Sequence, residues 1–317
     1  GASWTALGSG LNASVTTLAV FDDGGGPALC VGGGFTLAGG VAANRIAKWN
    51  GASWTALGDG MNVLVSDLAV YDDGGGPALH VGGNFTTAGG VPVSRVAKWD
   101  GASWTALGSG IDSSVYDLLV HDDGSGPALC AGGSFTTAGG VAVSHIAKWN
   151  GSSWAALGSG MDNNVNTLTE HDDGSGPALY AGGEFTSAGG MAASRIARWD
   201  GASWTALGSG MDRGVNALAV YDDGGGPALF AGGFFTSAGG VAASHVAKWD
   251  GSSWTALGSG LSGGPTPNDR VFALAVYDDG GGPALYAGGW FTSAGGAAAN
   301  YIAKWDGSSW SALGSGI

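Results

Sequence analysis

A chain of 317 residues with 44% apolar content can bury a sizeable core, whereas its net charge of −14 argues against nucleic acid, which needs a basic face to displace counterions from phosphate. No apolar run approaches the ~18 residues of a membrane helix, and no secretory signal is visible, so no membrane insertion is expected. Gly is abundant at 65 residues but recurs at fixed places, so it marks turns and not a low-complexity tract.

The chain repeats with a period of 50 residues, with units starting at Gly1, Gly51, Gly101, Gly151, Gly201 and Gly251. The sixth unit carries six extra residues within Ser262 to Asp269, and a partial seventh copy spans Gly307 to Ile317. The opening at a repeat boundary without Met reads as a trimmed or mature fragment. Residues 1–317 are read as one repeat domain. The two cysteines, Cys30 and Cys130, stand at the same place in the first and third units, which predicts free, buried thiols and leaves the redox compartment open.

Four strands are predicted in each unit, shown here for the fifth. The first is Val215 to Tyr221, rich in β-formers and bounded by Gly before and Asp-Asp-Gly after. Asp222 to Pro227 forms a turn, where Gly supplies unusual φ and Pro blocks ladder pairing. The second strand is Ala228 to Phe235, followed by a long loop from Thr236 to Ala243. Ser244 to Trp249 is the third strand, Asp250-Gly251 a tight primed turn, and Ser253 to Leu257 the fourth strand. No 3.6-residue apolar period survives the glycines, so no helix is expected.

The hydrophobic strand ending in Gly232-Gly233, followed by Trp249-Asp250 and then by Trp254, recurs about every 50 residues. This pattern resembles the kelch repeat of β-propellers over the whole chain. It departs from that repeat in having Trp249 where Tyr is usual and a shorter aromatic-to-Trp spacing. The resemblance implies a four-stranded blade, with Gly232-Gly233 ending the second strand and the two Trp flanking the last hairpin. The fold expected is therefore all-β, a six-bladed propeller with four antiparallel strands per blade. One blade cannot bury both faces of its sheet, so blades must stack, and the paired Trp are read as inter-blade packing.

Alternating strand direction segregates the turns. The Asp-Asp-Gly turn and the Asp-Gly hairpin share one face and hardly vary between units, while the second-to-third loop and the inter-blade connections share the other. Just after Gly-Gly the units read Gly34, Asn84, Ser134, Glu184, Phe234 and Trp290. At the start of the third strand they read Arg45, Arg95, His145, Arg195, His245 and Tyr301. Asn84, Glu184, Phe234 and Trp290, with Arg213 and Arg270 from the connections, are the candidate ligand-binding residues. Drift in unconstrained loops is the competing explanation of their variation.

Other constellations point to turn chemistry. The Asp pairs are read as turn formers and not as a calcium loop, which needs more oxygen ligands. Asn12, Asn62, Asp112, Asp162 and Asp212 would line the axial channel, as caps of local Asx-turns or around a cation. Glu170 replaces the Val of the other five units and, on a packed strand, should be paired or raised in pKa. The five His match no metal spacing. There is no nucleophile elbow and no phosphate loop. The expectation is a non-catalytic binding module, with no cofactor and no metal, that presents its variable face to a glycan, peptide or protein. The alternative is a structural repeat scaffold, or a surface or filament component, without a soluble ligand. Seven fourth strands compete for six places. The C-terminal copy Ser309 to Leu313 is expected in the last blade, because a short hairpin closes at low entropic cost. The displaced copy near Ser3 to Leu7 is then a surplus strand through which the protein could self-associate.

Overall fold

In the computed structural model, which describes residues 5–264 and 269–316, the fifth repeat shows how the sequence dictates a blade. Val215–Asp222 pairs antiparallel with Pro227–Gly233, which pairs with Val246–Trp249, which pairs with Trp254–Ala256. The same four-stranded meander recurs in every repeat, giving six antiparallel sheets and no helix among the described residues: a propeller-like repeat fold. Blade one runs from Val15–Asp22 to Trp54–Ala56, and blade six from Arg270–Asp278 to Trp310–Ala312.

The second strand ends at Gly233 and not at Phe235, and three further features of the predicted blade change, each for a physical reason. The third strand begins at Val246 and not at Ser244, because His245 is left-handed at φ +67°. Its N–H donates to Phe235 O and its carbonyl accepts from Gly233 N–H, closing the loop on itself. All six equivalent residues, Arg45 to Tyr301, share this conformation, which costs about 1–2 kcal/mol for a residue with a Cβ. The predicted long loop contains a second hairpin, Ser237–Ala238 with Val241–Ala242, bridged to Met211. The Asp-Gly hairpin is not a two-residue primed turn: Trp249 pairs with Trp254, leaving a four-residue loop. Asp250 holds that loop by accepting the N–H groups of Ser252 and Ser253.

The described residues form two compact units, one up to Gly160 with blades one to three and one from Met161 with blades four to six. Within each, consecutive blades pack by one repeated interface. The Gly-Gly pair has a stronger reason than strand termination: a Cβ on Gly232 would lie 2.6 Å from Val271 Cγ1 of the next blade, and one on Gly233 2.2 Å from Gly214 O. In the first unit Gly82 meets Val115 in the same way. Tyr71 Oη donates to Pro127 O at 2.8 Å and Tyr221 Oη to Pro283 O at 3.1 Å, each crossing to the following blade. The paired indoles are inter-blade packing, as expected. Trp249 and Trp254 pack with ring centres 5.3 Å apart and planes tilted by 47°, and Trp254 Nε1 donates to Leu207 O of the blade before. Burial of Val271, Leu285, Phe291, Trp305 and Trp310 completes the last core, each side chain contributing roughly 1.5–3 kcal/mol.

The C-terminal copy completes the last blade: Trp310–Ala312 pairs with Ile302–Trp305. Trp4 lies outside the described residues, and residues 5–10 form no strand. They lie against blade one, where Leu7 O accepts from Trp54 Nε1 at 2.9 Å.

Candidate functional site

The invariant turns are occupied with structure. Asp222 Oδ1 accepts the N–H groups of Gly224 and Gly226, and Asp223 forms an ion pair with Lys248 of the third strand. Asp73–Lys98 at 2.7 Å and Asp173–Arg198 at 3.3 Å repeat the pairing, which the sequence reading did not foresee. The Asn12 series caps, but not locally. Asn12 Oδ1 accepts from Thr36 and Leu37, and Asp162 accepts from Thr186 and Ser187, tying each inter-blade connection to a loop some 24 residues on. Burial works against ionisation of Asp162, but these donors hold its pKa down to about 2. Glu170 stands at an exposed position of its strand and not at a packed one. Cys30 and Cys130 are buried and form no disulfide, and burial pushes the Cys30 thiol up to about 11.

The variable loops are where residues gather without a packing reason. Arg270 opens the first strand of blade six and pairs in register with Trp290 at the end of the second. Phe234, just past Gly-Gly in blade five, is fixed by its N–H donating to Gly214 O. The Arg270 guanidinium carbon lies 4.0 Å from the Phe234 ring centre, 4.4 Å from that of Trp290 and 5.0 Å from that of Phe272. Phe272 meets Trp290 edge-on at 5.3 Å. Each cation–ring contact is worth about 0.5–2 kcal/mol, depending on desolvation. Arg270 Nε is buried without a hydrogen-bond partner, and burial lowers the pKa of the side chain. Asp269 beside it uses Oδ2 to accept from Gly263 N–H, while its buried Oδ1 has no hydrogen-bond partner. Pro265 to Asn268 of the insertion lie outside the described residues.

Next to this cluster Phe272, Gly288, Trp290, Tyr301 and Ile302 line an open apolar hollow of about 630 Å³. Tyr301 reaches it from the left-handed position, and both Trp290 and Tyr301 are exposed.

Of the six candidates, Phe234, Trp290 and Arg270 come together. Glu184 is a separate neighbour of the Arg213–Gly214 connection: a Cβ on Gly214 would sit 2.0 Å from Glu184 Oε1. Arg213 itself is exposed. Asn84 belongs to the other unit, exposed, with its N–H donating to Leu64 O. Phe272 was missed. Its signal was present, since the other blades carry Thr16, Ser66, Tyr116, Asn166 and Asn216 at that place. Thr16, Asn166 and Asn216 use the side chain to donate to a Val carbonyl of the next blade, which Phe272 cannot do.

No family model matches the chain, and no curated protein matches it. Among solved structures, it is similar to the extracellular domain of a putative hybrid two-component system from B. thetaiotaomicron, at 10% identity and a TM-score of 0.43. That similarity covers 89% of this chain, which spans 38% of the other.

Proposed function

We propose that this kelch-like propeller is a non-catalytic binding module, and that the rim built by Phe234, Arg270 and Trp290 receives an acidic glycan. The single observation that carries this reading is a guanidinium held among three aromatic rings beside the exposed Trp290. A carboxylate-bearing sugar supplies both halves of the complement. Its anionic group takes charge-assisted hydrogen bonds from Arg270, and its apolar ring face lies on the exposed Trp290. Holding a planar donor between rings removes its rotamer freedom before binding, so less entropy is lost with the ligand.

A scaffold without a soluble ligand is the second reading, and the near-identity of the six units favours it. The two separate on a screen of acidic glycans, neutral glycans and peptides. The binding reading expects acidic glycans to be retained by the wild type, and Phe234→Ala and Trp290→Ala to weaken retention with melting nearly unchanged. Unaltered affinity in both variants would remove this rim as the site.

A further inference from the structure

The residue that follows each Gly-Gly pair lies between two connections, that of its own blade and that of the next. In blade one a Cβ on Gly34 would lie 3.2 Å from Ser14 Oγ and 3.7 Å from Leu64 Cδ1. Blades four to six obey the same rule. Phe234 N–H donates to Gly214 O of its own connection, and its ring carries the guanidinium of Arg270 from the next. Glu184 reaches the same glycine from the blade before: a Cβ on Gly214 would sit 2.0 Å from Glu184 Oε1 and 2.6 Å from its Cδ. Glu184, Gly214, Phe234, Arg270 and Trp290 are therefore consecutive places along one rim, all in the unit that begins at Met161. Because residue 214 has no side chain, the Glu184 carboxylate stands in its place, one step from Phe234. Glu184 and Phe234 are each half-buried and keep part of their surface in solvent, and Arg213, just before Gly214, is exposed. Gly34, Asn84 and Ser134, at the place of Glu184 in the first three blades, carry no charge.

We propose that Glu184 forms a second sugar subsite next to the Arg270 rim, and that the ligand is an acidic sugar joined to a neutral one. The inference rests on the acidic-glycan reading of that rim and adds what the next sugar must be. With the acidic sugar held at Arg270 and Trp290, its neighbour in the glycan lies over Phe234 and meets Glu184. A carboxylate accepts hydrogen bonds and donates none, so it suits the hydroxyls of a neutral sugar, while the Phe234 ring suits the apolar side of the sugar ring. Arg213 supplies a donor for the sugar's oxygens. A second acidic sugar at this step would set its carboxylate against that of Glu184, which discriminates against a run of acidic sugars.

The test is titration calorimetry with glucuronic acid, a disaccharide of glucuronic acid and glucose, and a disaccharide of glucuronic acid alone. Wild type should bind the acidic–neutral disaccharide roughly tenfold more tightly than the monosaccharide, the gain from a hydrogen bond to a charged group. It should bind the diacid no more tightly than the monosaccharide. Glu184→Asn places there the residue that blade two carries as Asn84, so the fold accommodates it. This variant should lose the tenfold gain and bind the diacid more tightly than wild type does, with the monosaccharide unaffected. An unchanged ranking in Glu184→Asn, or equal binding of the monosaccharide and both disaccharides by wild type, overturns the inference and leaves the Arg270 rim standing. Failure of wild type to bind any of these probes refutes the rim itself, and the inference falls with it.

Discussion

Replacing His80 by Phe should stabilise the protein, and more so in mild acid. His80 lies in the middle of the second strand of blade two, fully buried, 5.4 Å from Tyr71 at 53°. Its Nδ1 donates to Ala78 O at 3.2 Å, while Nε2 has no hydrogen-bond partner and lies 3.9 Å from Asp73 Oδ2. Burial lowers its pKa to about 4, against the opposing effects of the Ala78 hydrogen bond and Asp73. A base whose folded pKa is depressed stays neutral in the fold while the unfolded chain takes up a proton near pH 6.5. Stability is therefore lost as pH falls from 6.5 toward 4 and levels off below that. Between pH 8 and pH 5 the loss is about 2 kcal/mol. Blade five already carries Phe230 at this place, fully buried and 5.6 Å from Tyr221 at 54°, so the substitution fits the packing. Urea unfolding followed by tryptophan fluorescence at pH 8 and pH 5 gives the comparison. The gain from His80→Phe should be about 2 kcal/mol larger at pH 5, and the same gain at both pH values would refute the argument.

Three further outcomes are expected. Asp123, Asp162 and Asp306 have folded pKa values of about 2: at Asp123 and Asp162 hydrogen-bond donors, with Lys148 at Asp123, outweigh the opposing effect of burial, and at the exposed Asp306 the N–H groups of Ser308 and Ser309 hold the carboxyl down. These carboxylates are ionised in the fold where the unfolded chain is protonated, so the melting temperature should fall steeply from about pH 4 to pH 2 and change little through them above pH 4.5. Calcium at millimolar concentration should leave the melting temperature unchanged, since Asp72 caps its turn and Asp73 pairs with Lys98; a rise abolished by replacing the Asp pairs would show a metal site. Deleting residues 1–10 removes the Leu7 acceptor of Trp54 at a cost of about 1 kcal/mol and leaves the blades folded; unfolding on deletion would show those residues to be integral to a blade.

What could be read in advance was what neighbouring residues write. The paired Trp around Asp-Gly announced the outer hairpin, and the short span from Trp305 to Trp310 was enough to assign the C-terminal copy to the last blade. What could not be read depends on atoms distant in sequence. The left-handed turn at His245 follows from hydrogen bonds to Gly233 and Phe235, and neither Arg, His nor Tyr advertises positive φ. The second Asp of each turn looks like turn composition until Lys48, Lys98 or Lys248 is seen beside it, 25 residues later. The rim was half legible. Phe234, Trp290 and Arg270 were singled out because they break the repeat, but Glu184, Arg213 and Asn84 break it as well and do not join them. Variation marks where the fold is permissive, and only the geometry selects which permissive positions meet.

The central claim is that Arg270, clasped by Phe234 and Trp290, receives an anionic ligand. Its most direct test is an array of acidic and neutral glycans probed in parallel with wild type and Arg270→Ala. Loss of a charge-assisted hydrogen-bonding group worth about 1.5–3 kcal/mol should weaken binding to acidic glycans roughly 10- to 100-fold, with neutral glycans bound by neither protein. Equal binding by both proteins, or no acidic glycan bound by the wild type, would contradict the account.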